Sequence, residues 1–323
     1  MNNKYFLILD IGGTKTSSAL FTEDGVIKDD YVHVVKSQTF KGEEAVYQNT
    51  KKALEHIIDK FSVNMEDVIG IGIGSPGPLD VNAGVIIHAP LMGWKNFPIV
   101  KRIKEDFNKE TVLDNDANLG ALAEHRLGVA KGFRNILYMT VSTGCGGGII
   151  IDNKLYRGKN DGAGEFGHMS IDYNGLDCKC GSKGCFEMYA SGTAMNNRMK
   201  NDMLNGRKSY AFEMADYNPE NLKIEFLNEA FLKNDDYARE FYKLEGYYLG
   251  VGIANLFNLY DPDVIVLGGG VTKSKEFFHD EMIKTIKKLS VQQFKEEQIK
   301  YSIINDRIVL YGAYCLIKEK FNN

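Results

Sequence analysis

No run of apolar residues in this 323-residue chain approaches the roughly 20 needed to span a bilayer. The opening, MNNKYFLILD, goes straight into an apolar strand and lacks the longer apolar region and small-residue cleavage site of a signal peptide. Neither sign of charge dominates: 39 basic residues face 43 acidic ones, a net charge of −4. That balance removes any electrostatic reason to expect a nucleic-acid or acidic-membrane partner. Cysteines number five, three of them within eight residues, which is not the spacing of a secreted disulfide framework. No low-complexity segment or linker interrupts the text. The expectation is a cytoplasmic protein with no membrane or nucleic-acid partner, long enough for about two domains that bury cores without staples.

The pattern that is present alternates strands and helices. Residues 4–35 read as three antiparallel strands separated by Gly-Gly and Asp-Gly turn signals. Residues 43–60 carry apolar side chains near helical spacing, and PIVKRIKEDF is a second helix. DVIGIGIGSPGPLD is a buried strand entering a Gly/Pro loop, and TVLDNDANLGALAEHRLG is strand, loop, helix. NILYMTVSTGCGGGIIIDNKLYRG then partly repeats KYFLILDIGGTKTSSALFTEDG, suggesting two similar lobes that each open with a glycine-turned hairpin. Residues 190–260 are mostly helical, DPDVIVLGGGVTKSKEFFHDEMIKTIKKL is strand, triple-glycine loop and helix, and RIVLYGAYCLIKEKF closes the chain as a helix.

The densest chemistry lies between Gly167 and Met188. CKCGSKGC puts the thiols of Cys178, Cys180 and Cys185 on one tight turn, and His168 lies ten residues upstream. Zinc takes four N or S ligands tetrahedrally, and a closed Cys₃His set is a structural site. The alternative is three buried or redox-active cysteines without metal and a satisfied core histidine. DIGGTKT places Asp10 ahead of Gly12, Gly13, Thr14 and Lys15. Glycines let backbone N–H groups approach phosphate oxygens, and Asp10 suits Mg²⁺ held through water; an ordinary Gly-Gly hairpin turn reads the same way. Asp116 stands at a strand-to-helix boundary, placed either to face a cleft as a base or to cap the helix starting near Ala117.

EFGHMSID followed by CKCGSKGCFEMYASG resembles the signature of the ROK family (repressors, open reading frames and sugar kinases), E-x-G-H and then C-x-C-G-x-x-G-C-x-E. Glu165, Gly167, His168, Cys178, Cys180, Gly181, Gly184, Cys185 and Glu187 fill every fixed position. LDIGGTKTSSAL, GSPGPLD, NDANLGALAE, STGCGGGI and VLGGGV extend the resemblance in family order over nearly the whole chain. The resemblance implies an α/β, two-lobed actin-like ATPase (ribonuclease H-like) fold with a cleft between lobes. The expected domains are a small one over 1–120, rejoined by a C-terminal helix at about 306–323, and a large one with the zinc loop over 121–305.

It also implies ATP- and Mg²⁺-dependent phosphorylation of a hexose, first glucose, by a homodimer or homotetramer. Asp116 would be the general base, and Asn115, Asp116, Glu165, His168 and Glu187 would contact the sugar. His168, Cys178, Cys180 and Cys185 would hold structural zinc. Thr143 and Gly144 would form a second phosphate loop, and Gly268, Gly269 and Gly270 would admit the adenosine. Cys145, usually aliphatic in the family, reads as an apolar substitute. One departure concerns the sugar: many family glucokinases read P-N-L-x-x-W before the tryptophan, whereas HAPLMGW puts Pro90 where the asparagine stands. Fructose, mannose, N-acetylmannosamine and N-acetylglucosamine therefore stay open as substrates. Two other classes are a sugar-responsive repressor, which would need a helix-turn-helix ahead of the first strand near Tyr5, and an inactive sugar-binding protein.

Overall fold

The computed structural model describes residues 4–37 and 42–322. The chain divides into two compact units: residues 1–134, 148–164 and 303–323 make one, and residues 135–147 and 165–302 make the other. The first holds β1 (Tyr5–Ile11), β2 (Lys15–Thr22), β3 (Ile27–Lys36), α1 (Glu43–Phe61), β4 (Val68–Ser75), β5 (Leu79–Asp80), β6 (Val85–Ala89), β7 (Trp94–Phe97), α2 (Ile99–Phe107), β8 (Thr111–Asn115) and α3 (Asp116–Arg126). β9 (Ile136–Val141) opens the second unit; β10 (Cys145–Ile151) begins there and ends in the first unit, to which β11 (Lys154–Leu155) also belongs. Then come α4 (Glu187–Ala190), α5 (Gly192–Leu204), α6 (Tyr210–Met214), α7 (Ile224–Leu232), α8 (Asp236–Tyr260), β12 (Val264–Gly268), α9 (Lys275–Leu289), β13 (Ile299–Tyr301) and α10 (Ile308–Asn322).

Two five-stranded sheets share one topology, β3-β2-β1-β4-β8 and β11-β10-β9-β12-β13. The hairpin echo in the sequence is thus a repeat of the whole sheet, the order of a duplicated actin-like α/β fold. In the first sheet β1 pairs antiparallel with β2 and parallel with β4, which pairs parallel with β8. In the second, β9 and β13 flank β12 in parallel. Parallel pairing lines up strand ends, the usual place for ligand-binding residues in α/β sheets.

The first unit extends past residue 120 because α10 seals it. Glycines at 70, 72 and 74 recur with period two, so they share one face of β4. A Cβ at Gly72 would lie 2.4 Å from the Ala313 carbonyl oxygen, and one at Gly74 would lie 2.3 Å from Val309. α10 therefore lies directly on the strand. Gly312 returns the contact, its missing Cβ standing 2.1 Å from the Leu119 carbonyl oxygen of α3. Leu119, Leu122, Leu310, Ala313 and Ile317 are buried with Phe6, Ile8 and Phe21 in one core. Moving α3 out of this unit would expose that core, at roughly 25 cal/mol per Å² of apolar area.

Three features depart from the sequence reading. The strand β8 passes into α3 with no loop between them. The Gly/Pro-rich stretch contains a small antiparallel sheet of order β5-β6-β7, closed by Trp94 stacked on Phe97 at 4.5 Å. The second sheet gains the edge strand β13.

Candidate functional site

In the first unit the glycine turn follows β1 and the base candidate follows β8, the two strands that flank β4 in parallel, so both stand at the same edge of the sheet. β1 delivers Asp10, and the turn that follows is closed by Gly12 N–H donating to the Lys15 carbonyl at 2.9 Å. Ser37 buttresses it, its hydroxyl donating to Gly12 O at 2.6 Å and its N–H to Thr14 O at 3.0 Å. The Asp10 carboxyl is pushed up from 3.8 to about 7, first by burial and then by the neighbouring charge of Asp116, with Lys15 opposing. The Asp116 carboxyl is also raised by its crowded surroundings, against the pull of the Ala117 N–H. Asp116 keeps solvent access. The charge of Asp116 raises the proton affinity of Asp10, so a cation placed beside the two carboxylates would relieve that repulsion.

The helix cap falls to Asn115. Its Oδ1 accepts from Ala117 N–H at 2.9 Å and Asn118 N–H at 3.4 Å, which leaves its amide NH₂ as a donor. Asp116 Oδ1 shares the Ala117 N–H at 2.8 Å, and among the described residues Oδ2 accepts no hydrogen bond. Behind them Asp114, fully buried, accepts from Arg157 Nε at 2.8 Å and Nη2 at 2.6 Å, from Asn118 Nδ2 at 3.0 Å and from the Asn115 N–H at 2.8 Å. The sequence reading passed over this pair, although it fixes the strand end that carries Asn115 and Asp116.

The second unit gathers Thr143, Gly144, Glu165, His168, Glu187, Gly268, Gly269, Gly270 and the cysteine cluster. The ligand atoms of His168, Cys178, Cys180 and Cys185 lie within 4.8 Å of one another. Cys180 and Cys185 sulfurs are 3.6 Å apart, and Cys178 Sγ is 3.8 Å from His168 Nδ1. Ligands about 2.0–2.3 Å from a tetrahedral zinc stand roughly 3.3–3.8 Å apart, so the four residues fit the ion. The knuckle is shaped by its backbone: Cys178 N–H donates to Ser182 O at 2.8 Å, and Gly181 N–H to Cys178 O at 3.0 Å. Gly184, at φ 66°, is pressed so hard on the Asp172 carbonyl that no side chain fits. With Nδ1 in the cluster, His168 keeps Nε2 for another partner.

A cavity of about 1110 Å³ is lined by Thr143, Gly144, His168, Cys178 and Glu187 among others. A second, of about 580 Å³, is lined by Ser142, Thr143, Gly192, Thr193, Gly270 and Lys273 among others. Thr143 and Thr193 line both. Thr193 is a residue the sequence reading did not single out. The triple glycine separates into two roles. Gly268 makes room for the Tyr138 hydroxyl and Gly269, at φ 91°, for the Val141 carbonyl, whereas Gly270 lines the smaller cavity. Cys145 is buried and its thiol is held well above its usual range by burial and by the charges of Glu187 and Glu245. A thiol so protonated behaves as a small apolar group, as read from the sequence. Pro90 opens a turn Pro90–Met92 that presents the exposed Leu91 against Gly13 of the first glycine turn.

The two sheets of one order agree with the comparisons to known proteins. The ROK family model matches residues 6–320. The glucokinase of Halalkalibacterium halodurans is 34% identical over 89% of this chain and 85% of its own length. The xylose repressor of Bacillus subtilis is 31% identical over 84% of this chain and 65% of its own. A solved structure, the ROK family glucokinase of Streptomyces griseus in complex with glucose and AMPPNP, superposes with a TM-score of 0.80 at 28% identity, over 98% of this chain and 99% of that one. The chain belongs to the ROK family. No helix among the described residues is long and apolar enough to cross a membrane.

Proposed function

We propose that the protein is an ATP-dependent hexose kinase, with glucose as first candidate and Asp116 as general base. Kinase and repressor relatives share the family, so membership alone does not decide the chemistry. The observation that carries the reading is the pair Asp10 and Asp116 beside a glycine turn, where the charge of Asp116 adds to burial in raising the Asp10 carboxyl. Phosphoryl transfer needs a base at the nucleophile and a cation at the phosphates. Asp116 Oδ2 takes the proton of the attacking hydroxyl while that oxygen bonds to the γ-phosphorus. The bond from phosphorus to the bridging oxygen breaks, and ADP leaves with the electron pair. Mg²⁺, held by Asp10 through water, would neutralise the phosphate charge.

The sugar would be oriented by the Asn115 amide, by His168 Nε2–H, and by Glu187 and Glu165. Gly12, Gly13, Thr14, Lys15, Thr143 and Gly144 would receive phosphates, and the smaller cavity at Gly270 the nucleoside. His168, Cys178, Cys180 and Cys185 would hold zinc as a closed four-ligand site, and the ion would supply geometry and no chemistry. A coupled ADP-release assay over glucose, fructose, mannose, N-acetylmannosamine and N-acetylglucosamine tests the reading. Sugar-dependent release with at least one hexose is expected. Release that no hexose stimulates, alongside measurable sugar binding, would point to the repressor or sugar-binding reading instead.

A further inference from the structure

The segments that carry the metal ligands also grip the second glycine turn, residues 142–145, and they do so from two sides. From the Cys185 arm, Glu187 Oε2 accepts the Cys145 N–H at 2.8 Å. From the His168 arm, Gly167 lies so flat on the same residue that a Cβ would stand 2.2 Å from the Cys145 carbonyl oxygen. Gly144 is pinned beside them, since its Cβ would fall 2.4 Å from Glu187 Oε2. Beyond α4, Gly192 N–H donates to Ser142 O at 2.7 Å and Thr193 Oγ1 donates to Thr143 O at 2.7 Å. Ser142 N–H closes the turn on Gly144 O at 2.8 Å.

Every one of these holding groups lies within one residue of His168 or within eight of Cys185. We infer that the Cys₃His metal site braces the nucleotide's phosphate turn, with Glu187 as the positioning residue that carries the brace to Cys145. The inference rests on reading residues 142–145 as a phosphate turn of the proposed kinase. A turn whose carbonyls and N–H groups are already held loses little freedom when a phosphate arrives, and released from the brace it must be ordered by the ligand itself. Metal and nucleotide are then linked with no sugar present, and linkage is reciprocal.

The test is calorimetric titration of Mg-ADP into sugar-free, zinc-loaded protein, with zinc content and melting temperature checked in each variant. Glu187→Ala should weaken ADP about tenfold, the order expected for one hydrogen bond to a charged acceptor. Glu187→Gln, which keeps an acceptor oxygen for the Cys145 N–H, should stay within about threefold of wild type. Wild-type protein stripped of metal by a chelator should lose at least as much as the alanine variant, and it decides the matter alone if that variant does not fold. ADP affinity unchanged by both Glu187→Ala and stripping would overturn the brace. Zinc-loaded wild type that binds no ADP at all would instead overturn the kinase reading beneath it.

Discussion

The two glycine turns end equivalent strands in two sheets of the same order, yet they are built for different work. The turn after β1 follows an acid at the penultimate strand residue, Asp10, and among the described residues it is buttressed by Ser37 and faced by Leu91. The turn after β9 has Thr140 at the matching place and no acid, but it is held by Glu187, Gly192 and Thr193 and flanked by Gly167. One copy of the fold carries charge, and its Asp10 carboxyl is driven upward by burial and by the charge of Asp116. The other carries rigidity, supplied by a metal-ligand knuckle with no counterpart in the first unit among the described residues. A duplicated fold does not duplicate its chemistry. What differs is which flanking segment each turn acquired.

The largest expected effect breaks the charged half. Asp116→Asn should lower kcat by about 10² or more while sugar affinity, followed by calorimetry, changes little. A variant with over half the wild-type kcat would remove Asp116 from the base role. Next comes the rigid half: elemental analysis should show about one zinc per chain, lost in Cys180→Ser, with a steep rise in sugar KM. Full activity in metal-free protein would contradict this.

Asp10 gives a smaller effect, in stability. Its carboxyl holds its proton more tightly when folded, near 7 against 3.8 when free. The folded state therefore binds more protons between these values, and metal-free wild type loses stability as pH rises through that window. Asp10→Asn removes the titration, so its melting temperature should gain on wild type from about pH 4 to pH 7 and then run parallel. A constant gap across that range would mean Asp10 ionises as freely as an exposed acid. Smallest is Pro90→Asn, which should shift the ratio of kcat/KM between glucose and its competitors by about 0.5–1.5 kcal/mol, one hydrogen bond. Equal changes for every sugar would show that this turn does not read sugar identity.

Much of this was legible in the sequence because it is local. The hairpin around Gly12 and Gly13, the knuckle ligands and the boundary at Asn115 and Asp116 each declare themselves within a few residues. The β5-β6-β7 sheet did not, since its strands run two to five residues between prolines and glycines and show no usable period. Nor did the first unit's full extent: the return of the C-terminal helix is implied by the resemblance, but residues 121–134 and 148–164 join through contacts between distant segments, such as Gly312 of α10 on Leu119 of α3 and Arg157 on Asp114. The Glu187 bond to Cys145 joins positions 42 apart in sequence, and the Arg157 bond to Asp114 positions 43 apart. Chain text marks such residues as charged and leaves their partners unstated.

The most direct measurement of the central claim is ³¹P NMR of the protein with ATP, Mg²⁺ and glucose, repeated with the other hexoses. The account predicts that γ-phosphate signal lost from ATP reappears as a hexose monophosphate in one-to-one ratio with ADP for at least one sugar, and that Asp116→Asn slows its appearance about a hundredfold or more. ADP accompanied only by inorganic phosphate, with no sugar phosphate from any hexose, would contradict it.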